Sequence, residues 1–241
     1  MTAMPPNPAP TTTIFFLTDD ASATVTPFAR PDAAHDMMQP AALIQQRMPP
    51  ASTPILIQAD EVAAQPWRNG GGLTRELLRW PAGASDWRLR ISLADVRSDG
   101  PFSIFPGIQR WFSVIDGAGV RLSLAGADHL LQPGHEPLCF SGELPANCAL
   151  VDGPTTDLNL MHAGGSASMA RVQSGNAWRS SLSMRGLFTR AAGLWSAPAT
   201  PALRLPAYCL LWLDESTEVP WTFIAENPQG LAPGLWLAFT P

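Results

Sequence analysis

The chain contains no lysine, so each of its fifteen basic side chains is an arginine. This absence excludes mechanisms that depend on an amine, such as Schiff-base formation or the lysine contact of a phosphate-binding P-loop. Arginine stays protonated and presents a planar fork of donors, so it recognises carboxylates and phosphates but is a poor general base. Ionic recognition of an anion by this chain therefore falls to arginine.

Cysteine and long apolar runs are also scarce. The three cysteines, Cys139, Cys148 and Cys209, lack CxxC spacing, which favours small buried side chains in a reducing cytosol over a disulfide framework. No apolar run approaches the ~18 residues of a membrane helix, and no charged region precedes an apolar core at the N-terminus. We therefore expect a cytoplasmic protein with no membrane partner.

Charge is sparse and unevenly placed. Charged residues make up 15% of the chain, and a net charge of −5 argues against a nucleic-acid partner, which normally needs a basic face. Residues 67–110 are the exception, with seven arginines against four acidic residues, a net of +3. A basic, glycine-rich segment in an acidic protein points to an anionic ligand, although charge alone favours solvated arginines on ordinary strands.

The first fifty residues differ in composition from the rest. Proline, alanine and threonine dominate residues 1–50, which predicts a disordered extension. Because a regular pattern begins only at Ile55, we also consider Met48 as the biological start of the protein.

From Ile55 onward, short apolar segments recur every 8–12 residues between turn residues, which is typical of an all-β sandwich or barrel. The segment 87–94 alternates strictly, with Leu89 and Ile91 on one face and Arg90 and Ser92 on the other. The glycines at 117 and 119 predict a hairpin between 110–116 and 120–126. One short helix is expected near 178–192. A glycine-rich joint at 164–168 divides the chain into a first barrel over 55–163 and a second, less complete half over 164–241.

Common catalytic and metal-binding motifs are missing. There is no GxSxG, Walker, GxGxxG or HExxH sequence, and the histidines include no His-X-His pair of the kind that barrel metal sites use. We therefore predict no metal and no cofactor. The Gly70–Gly72 run follows Asn69 and precedes a strand, which favours a tight turn or a close approach to a ligand.

Two further segments carry polar groups with two possible roles. Arginines on alternate positions of a strand point either to water or into a barrel, where they need an anionic partner. The loop GPFSIFPG at 100–107 either shapes a pocket mouth or packs its phenylalanines into the core. Asp157 and Asn159 share a strand face, which predicts a hydrogen-bond network that is either structural or part of a ligand site.

Three segments resemble the HutD/Ves family. PWRNGGGLTREL (66–77) and RISLADVRSDGPFSIFPGIQR (90–110) are long and specific matches, and DLNLM (157–161) is a shorter one. The likeness spans about 55–241 and is strongest up to 165. It departs from the family pattern after DLNLM, where many relatives carry arginine and this chain has His162-Ala-Gly-Gly.

The resemblance implies a fold and a role. The fold is a double-barrel cupin (a bicupin of RmlC-like jelly rolls), which is consistent with the strand spacing. The role is to bind a carboxylate metabolite of histidine utilisation, formylglutamate or urocanate, and to moderate that pathway.

Two classes of function remain open. In the first, the chain is a non-catalytic binding protein in which Arg90 and Arg110 contact the carboxylate. The residues that shape its pocket are then Trp67, Asn69, Thr74, Glu76, Ser103, Phe105 and Asn159. In the second, it is a cupin-type isomerase, lyase or hydrolase with Glu76 as general acid or base, which requires a raised pKa. Pairing of edge strands between chains also makes a homodimer possible.

Overall fold

The computed structural model describes residues 54–214, 218–227 and 230–241. The predicted disordered extension of residues 1–50 and the proposed start at Met48 lie outside these ranges. Within them the chain forms β-strands and one 3-10 helix at Ala59–Glu61, with no α-helix. The protein is all-β in its described part, as the sequence predicts.

The strands are short and follow one another closely. In the first part of the chain they are Ile55–Gln58 (β1), Gln65–Pro66 (β2), Gly72–Trp80 (β3), Leu89–Val96 (β4), Gly100–Pro101 (β5), Ile108–Asp116 (β6), Val120–Leu124 (β7), Ala127–Leu131 (β8), Leu138–Ser141 (β9), Ala146–Leu150 (β10) and Thr155–Ala163 (β11). In the second part they are Ser166–Arg171 (β12), Ala177–Trp178 (β13), Met184–Thr189 (β14), Gly193–Ser196 (β15), Leu203–Leu205 (β16), Cys209–Asp214 (β17), Trp221–Ala225 (β18) and Gly234–Thr240 (β19).

These strands form four antiparallel sheets. Sheet I has the order β5-β10-β7-β8, sheet II β2-β3-β4-β11-β6-β9, sheet III β1-β17-β14-β19-β12 and sheet IV β13-β18-β15-β16. Three apolar cores join them in this order. Phe112 and Leu122 belong to the core between sheets I and II, and Leu160 and Phe239 to the core between sheets II and III. The core between sheets III and IV is rich in tryptophan, including Trp221.

Strand β4 shows how the two faces of sheet II differ. Leu89, Ile91 and Leu93 are buried in the core shared with sheet III. Arg90 and Ser92 occupy the alternate positions and face sheet I. Successive side chains of a strand point to opposite faces, so the predicted division of this strand into an apolar and a polar face is confirmed.

The helix predicted near 178–192 is wrong. Met184–Thr189 is instead the central strand β14 of sheet III, hydrogen-bonded to β17 on one side and β19 on the other. All six of its residues are buried, Arg185 and Thr189 included, so the strand lacks the alternation of a half-buried strand. A strand that is buried on both faces cannot be told from a buried helix by periodicity. A Cβ at Gly186 would lie 2.4 Å from the Trp212 ring, which shows how closely the neighbouring strand packs.

The hairpin predicted across residues 117–119 is also wrong. Strand β6 pairs with β11 and β9 in sheet II, whereas β7 pairs with β10 and β8 in sheet I. Gly117 and Gly119 have φ values of 92° and 105°, and a Cβ on either would clash with a carbonyl oxygen about 2.5 Å away. The glycines therefore let the chain cross between sheets at a crowded corner.

The two halves of the chain are interleaved at one strand. Strand β1 pairs with β17 over four residues and forms an edge of sheet III, whose other strands come from the second half. Gly164 and Gly165, with φ values of 63° and 64°, connect β11 to β12 where the sequence predicts a joint. The division into barrels over 55–163 and 164–241 stays a prediction. No helix within the described ranges is long and apolar enough to span a bilayer.

Candidate functional site

A cavity of about 570 Å³ opens between sheets I and II. Eight of the nine residues predicted to form a ligand site line it, and the ninth, Glu76, does not. The eight are Trp67, Asn69, Thr74, Arg90, Ser103, Phe105, Arg110 and Asn159. They come from four strands of sheet II (β3, β4, β6 and β11) and from two loops that meet over it.

The strand register of sheet II arranges the cavity wall. Asn159 on β11 pairs with Ser92 on β4, and Met161 pairs with Arg90 on β4 and Arg110 on β6. The two arginines therefore flank Met161 on one face of sheet II, because β4 and β6 lie on either side of β11. Residues directly opposite in an antiparallel pair have Cβ atoms about 4.5–5.5 Å apart, so this register places both cationic side chains at the same end of the wall.

Arg110 is the most deeply buried cation of the cavity, with 6% of its surface exposed. Its Nη2 donates to Oδ1 of Asn159 at 2.8 Å. Its Cζ lies 5.1 Å from the ring centroids of Phe102 and Phe140 and 5.9 Å from that of Phe105. Three aromatic faces thus enclose the guanidinium, each contributing a favourable cation–π interaction of about 0.5–2 kcal/mol.

A second hydrogen bond extends this contact into the wall. Nδ2 of Asn159 donates to Oδ1 of Asp157 at 2.5 Å, and Asp157 is only 1% exposed. Burial raises the pKa of the Asp157 carboxyl to about 8, against the opposing effects of the Arg110 charge and the Asn159 hydrogen bond. Asp157 is therefore mostly protonated at neutral pH.

Arg110 keeps its charge in this setting. Burial lowers the pKa of its guanidinium to about 10, although the nearby Asp157 raises it. The side chain is still protonated at neutral pH. Its Nε has no hydrogen-bond partner, and neither does Oδ2 of Asp157. Buried polar groups without partners are rare in proteins, and a bound water, ion or ligand is one way in which such groups are satisfied.

Glu76 lies beside the cavity and has a different role from the one predicted. Its carboxylate accepts hydrogen bonds from Nε and Nη2 of Arg79, both at 2.8 Å, and from Nε of Arg90 at 2.7 Å. Burial raises the pKa of Glu76, but the hydrogen bonds and charges of Arg79 and Arg90 outweigh it and hold the pKa below its usual value. The raised pKa expected of a general acid or base is therefore wrong for Glu76.

A β-bulge explains this arrangement. Glu76 pairs with Ser92, but the register then shifts, so that Arg79 pairs with Arg90. In a regular strand, residues three apart point to opposite faces; the extra residue puts Glu76 and Arg79 on the same one. Leu77 and Leu78 meanwhile both pack against the core shared with sheet III. The sequence signal is the doubled leucine in Arg75-Glu76-Leu77-Leu78-Arg79.

The glycine run forms the turn that carries Trp67 and Asn69. Oδ1 of Asn69 accepts from the backbone N of Gly71 at 3.0 Å, and Gly70 has a φ of 72°. A Cβ on Gly72 would lie 2.4 Å from the Asp95 carbonyl oxygen and 3.1 Å from the Trp67 ring. Trp67 in turn donates from Nε1 to Oγ1 of Thr74 at 2.7 Å. The glycines thus make a tight turn that holds the indole against sheet II.

The loop over 102–107 borders the other side of the cavity. Its backbone is fixed at both ends, by Phe102 N donating to Ala146 O and Phe105 N donating to Gly142 O, both at 2.8 Å. Phe102 packs against the core between sheets I and II, while Ser103 and Phe105 line the cavity. Both roles considered for this loop, core packing and shaping a pocket, are therefore found in it.

Sequence reasoning missed several residues of the wall. They are Gln65, Pro66, Arg68, Ser92, Ala94, Pro101, Phe102 and Met161, whereas for Asp157 the sequence leaves both a structural and a ligand role open. Residues two apart on a strand share a face. If Arg90 faces the cavity, Ser92 and Ala94 are therefore expected to face it too, and the same rule links Asp157 to Asn159. His162, where the chain departs from the family pattern, packs against Phe239 with ring centroids 5.9 Å apart, on the opposite face of the sheet.

The cavity does not have the donors of a cupin-type metal centre. Among the described residues, no three His, Cys, Asp or Glu side chains are grouped so that they could hold an ion. Asp157 is the carboxyl of the lining, which otherwise offers guanidinium, amide, hydroxyl and thioether groups. Zinc, iron and copper sites are built from imidazole, thiolate and carboxylate ligands, so this donor set does not fit one.

Two curated relatives share part of this sequence. An uncharacterised 21.2 kDa protein in the hutC 3′ region of Pseudomonas putida is 37% identical over 109 residues, which are 45% of this chain and 57% of that protein. Protein Ves of Citrobacter koseri is 35% identical over 96 residues, 39% of this chain and 50% of the relative. The chain spans about half the length of these relatives.

Solved structures extend the likeness to most of the chain. A conserved protein of unknown function from Pseudomonas aeruginosa PAO1 has a TM-score of 0.68 at 28% identity, covering 78% of this chain and 99% of its own. HutD from Pseudomonas fluorescens SBW25, solved in a formate condition, has a TM-score of 0.66 at 26% identity, covering 78% and 98%. Oxalate decarboxylase, at 9% identity and a TM-score of 0.53 over 77% of each chain, shows a likeness of fold alone. The fold is all-β and cupin-like.

The family assignment rests on the same segments that build the cavity. The sequence profile of the HutD family matches residues 59–227, which is well over half of the chain and includes β2 to β18. The resemblance to HutD and Ves proteins is thereby confirmed. The chain belongs to the HutD family.

Proposed function

We propose that the chain is a binding protein whose cavity takes a small carboxylate metabolite of histidine utilisation, such as formylglutamate or urocanate, and that binding moderates this pathway. The observation that carries the proposal is Arg110, a guanidinium buried at the cavity wall with an unpartnered Nε. Its hydrogen bond goes to the neutral amide of Asn159. A carboxylate in the cavity would supply the opposite charge.

The electrostatic argument concerns the cost of a buried charge. Removing an arginine from water costs several kcal/mol unless an anion or a dense set of acceptors compensates. Aromatic rings and one amide oxygen surround Arg110, and its neighbour Asp157 is mostly protonated at neutral pH. The wall therefore carries positive charge that an anionic ligand would neutralise. Arg90, already paired with Glu76, is placed to orient a second polar group of the ligand.

Cavity size and the relatives favour a small metabolite. A volume of about 570 Å³ lies in the range of small-molecule sites, roughly 300–1,000 Å³. One relative is encoded in the hutC 3′ region, and a similar structure is that of a HutD protein solved in a formate condition. These associations support a carboxylate of histidine utilisation as the ligand of this chain.

The enzymatic alternative receives less support. It relied on Glu76 as a proton donor or acceptor, yet this carboxylate is held by two arginines and does not line the cavity. A carboxylate with a lowered pKa in two ion pairs is a weak base at neutral pH. Its place in the structure is to position Arg90.

Four finer expectations belong to the same proposal. The four stacked sheets support a bicupin in which sheets I and II form one jelly roll and sheets III and IV the other. A cytoplasmic location and a homodimer stay predictions. So does the expectation that neither nucleic acid nor a membrane is a partner.

Isothermal titration calorimetry tests the proposal. We expect saturable binding of formylglutamate or urocanate, with glutamate and formate as smaller probes, and loss of binding in Arg110→Gln. Arg121→Gln removes one exposed arginine on β7 outside the cavity and should bind like the natural protein. At 100 times Kd, a ligand should also stabilise the fold by about 2.7 kcal/mol. Absence of binding by all four compounds at millimolar concentration contradicts the proposal.

A further inference from the structure

The hydrogen bonds between Arg110, Asn159 and Asp157 have a fixed direction. Arginine can only donate, so the atom of Asn159 that faces Arg110 is the carbonyl oxygen Oδ1. The amide nitrogen Nδ2 then faces Asp157 and donates to its Oδ1. Because Oδ1 of Asp157 is occupied as an acceptor, a proton on this carboxyl resides on Oδ2. This is the oxygen that has no partner.

The charges around Asp157 come from several elements of the fold. They are Arg90 and Asp95 on β4 and Arg110 on β6, while the thiol of Cys148 on β10 is neutral because burial raises its pKa to about 12. Arg90 is neutralised locally, since it pairs with Glu76 on β3. Asp95 pairs with Arg75 at 2.8 Å. Arg110 therefore remains as the main cation that favours a negative charge on Asp157.

We propose that the cavity binds its anion together with one proton, which Asp157 holds on Oδ2. The inference rests on the proposed function of the cavity and adds the protonation state in which it works. A bound carboxylate and an ionised Asp157 would compete for the same cation, Arg110, and both Arg110 and Asp157 are buried. Like charges in a low-dielectric site repel strongly, so only one of the two stays ionised.

The proton balance of this step is simple. The ligand enters as a carboxylate, solvent supplies one proton to Asp157, and no covalent bond other than that O–H forms or breaks. The ligand-free carboxyl is already inclined to this state, because burial raises the pKa of Asp157 to about 8. Below that pH the proton is in place before binding, and above it binding takes the proton from solvent.

Asp157 thereby acts as a specificity residue for the charge of the ligand. When it is neutral, the Asp157–Asn159–Arg110 chain carries a net positive charge and accepts an anion. When Asp157 is ionised, its charge cancels that of Arg110. The three side chains are then neutral together and resemble a site that already holds an anion. Asn at position 157 keeps nearly the same shape, has no charge at any pH and should lock the cavity in the accepting state.

Calorimetry with formylglutamate from pH 6 to pH 9 tests the inference, because both ligand carboxylates stay ionised over this range. We expect the affinity of the natural protein to be constant up to pH 7. It should fall above pH 8 with a slope approaching tenfold per pH unit. Asp157→Asn should bind with an affinity that does not change over the whole range. A decline shared by both proteins would assign it to another group and overturn the inference.

A second measurement does not depend on the variant. Titrations of the natural protein at pH 8.5 in buffers of different ionisation enthalpy count the protons taken up, and we expect more than about half a proton per ligand. Binding without proton uptake and without pH dependence overturns this inference but leaves the proposed binding function standing. Absence of formylglutamate binding at every pH overturns this inference, and the proposed function falls with it only when urocanate, glutamate and formate also fail to bind.

Discussion

The guanidinium of Arg110 donates to Oδ1 of Asn159 over 2.8 Å, and this bond ties the most buried cation of the cavity to a neutral amide. A buried arginine is normally met by a carboxylate with matching geometry. Here the nearest acid in the wall, Asp157, is separated from it by the Asn159 side chain. The arrangement keeps an unneutralised charge at the cavity, and the following predictions depend on it.

Asp157→Asn should stabilise the ligand-free protein at neutral and alkaline pH. The pKa of Asp157 is raised to about 8, so the folded protein holds a proton that the unfolded chain releases above about pH 4. The stability of the natural protein therefore falls as pH rises between these values, by about 1.4 kcal/mol per unit, and levels off above pH 8. Urea unfolding of both proteins from pH 5 to pH 9 measures the difference, and parallel pH profiles would contradict it.

Glu76→Gln should destabilise the protein at pH 7 by about 1 kcal/mol, because it breaks partly exposed ion pairs with Arg79 and Arg90. The pKa of Glu76 is lowered, so its contribution is present above the unfolded-state value and is lost as pH falls below about 4. Thermal unfolding at pH 7 and pH 3 should show the difference only at pH 7. Glu226→Gln, which breaks an exposed pair with Arg204, is the control and should change little.

Gly72→Ala should loosen the turn that holds Trp67. The added methyl would lie 2.4 Å from the Asp95 carbonyl oxygen and 3.1 Å from the indole, so backbone or ring must move. We expect a loss of about 2 kcal/mol of stability and a change in tryptophan fluorescence. Gly70→Asn is the control, because Gly70 has open space around it and asparagine tolerates its φ of 72°. Equal losses of stability in Gly72→Ala and Gly70→Asn would contradict this prediction.

Phe140→Leu should weaken ligand binding by opening one side of the aromatic enclosure of Arg110. The same truncation at Phe188, in the core between sheets II and III, removes a buried ring far from the cavity. Both variants should lose about 1–2 kcal/mol of stability, because each leaves a small space in a packed core. Only Phe140→Leu should lower the affinity for the carboxylate. An equal loss of affinity in both variants would contradict this prediction, because it would show that lower stability, and not the opened enclosure of Arg110, weakens binding.

Local patterns in the sequence predict much of the cavity wall. Alternation in β4 places Arg90 and Ser92 on the opposite face from Leu89, and the same rule applies to Asp157 and Asn159 on β11. Eight predicted residues line one cavity because they lie on two such strands, on β3 and β6 beside them, and in the two loops that meet over sheet II.

The errors come from features that depend on distant parts of the chain. Met184–Thr189 is buried on both faces because sheets II and IV cover it, and no local signal separates such a strand from a buried helix. Strands β6 and β7 flank a glycine-rich turn but enter different sheets, a choice made by their partners β11 and β10. The bulge after Glu76 likewise brings Arg79 onto the same face as Glu76, where Arg79 and Arg90 together lower the pKa of the Glu76 carboxylate.

The central claim is that a carboxylate binds at Arg110, and the side-chain Nε–Hε resonance of this arginine reports on it directly. In a ¹H–¹⁵N spectrum the resonance is assigned by its absence in Arg110→Gln. We predict a saturable downfield shift as formylglutamate or urocanate is added, because the Nε–H that now has no partner gains an acceptor or a nearby charge. A resonance that stays in place while only exposed arginines respond would contradict the claim.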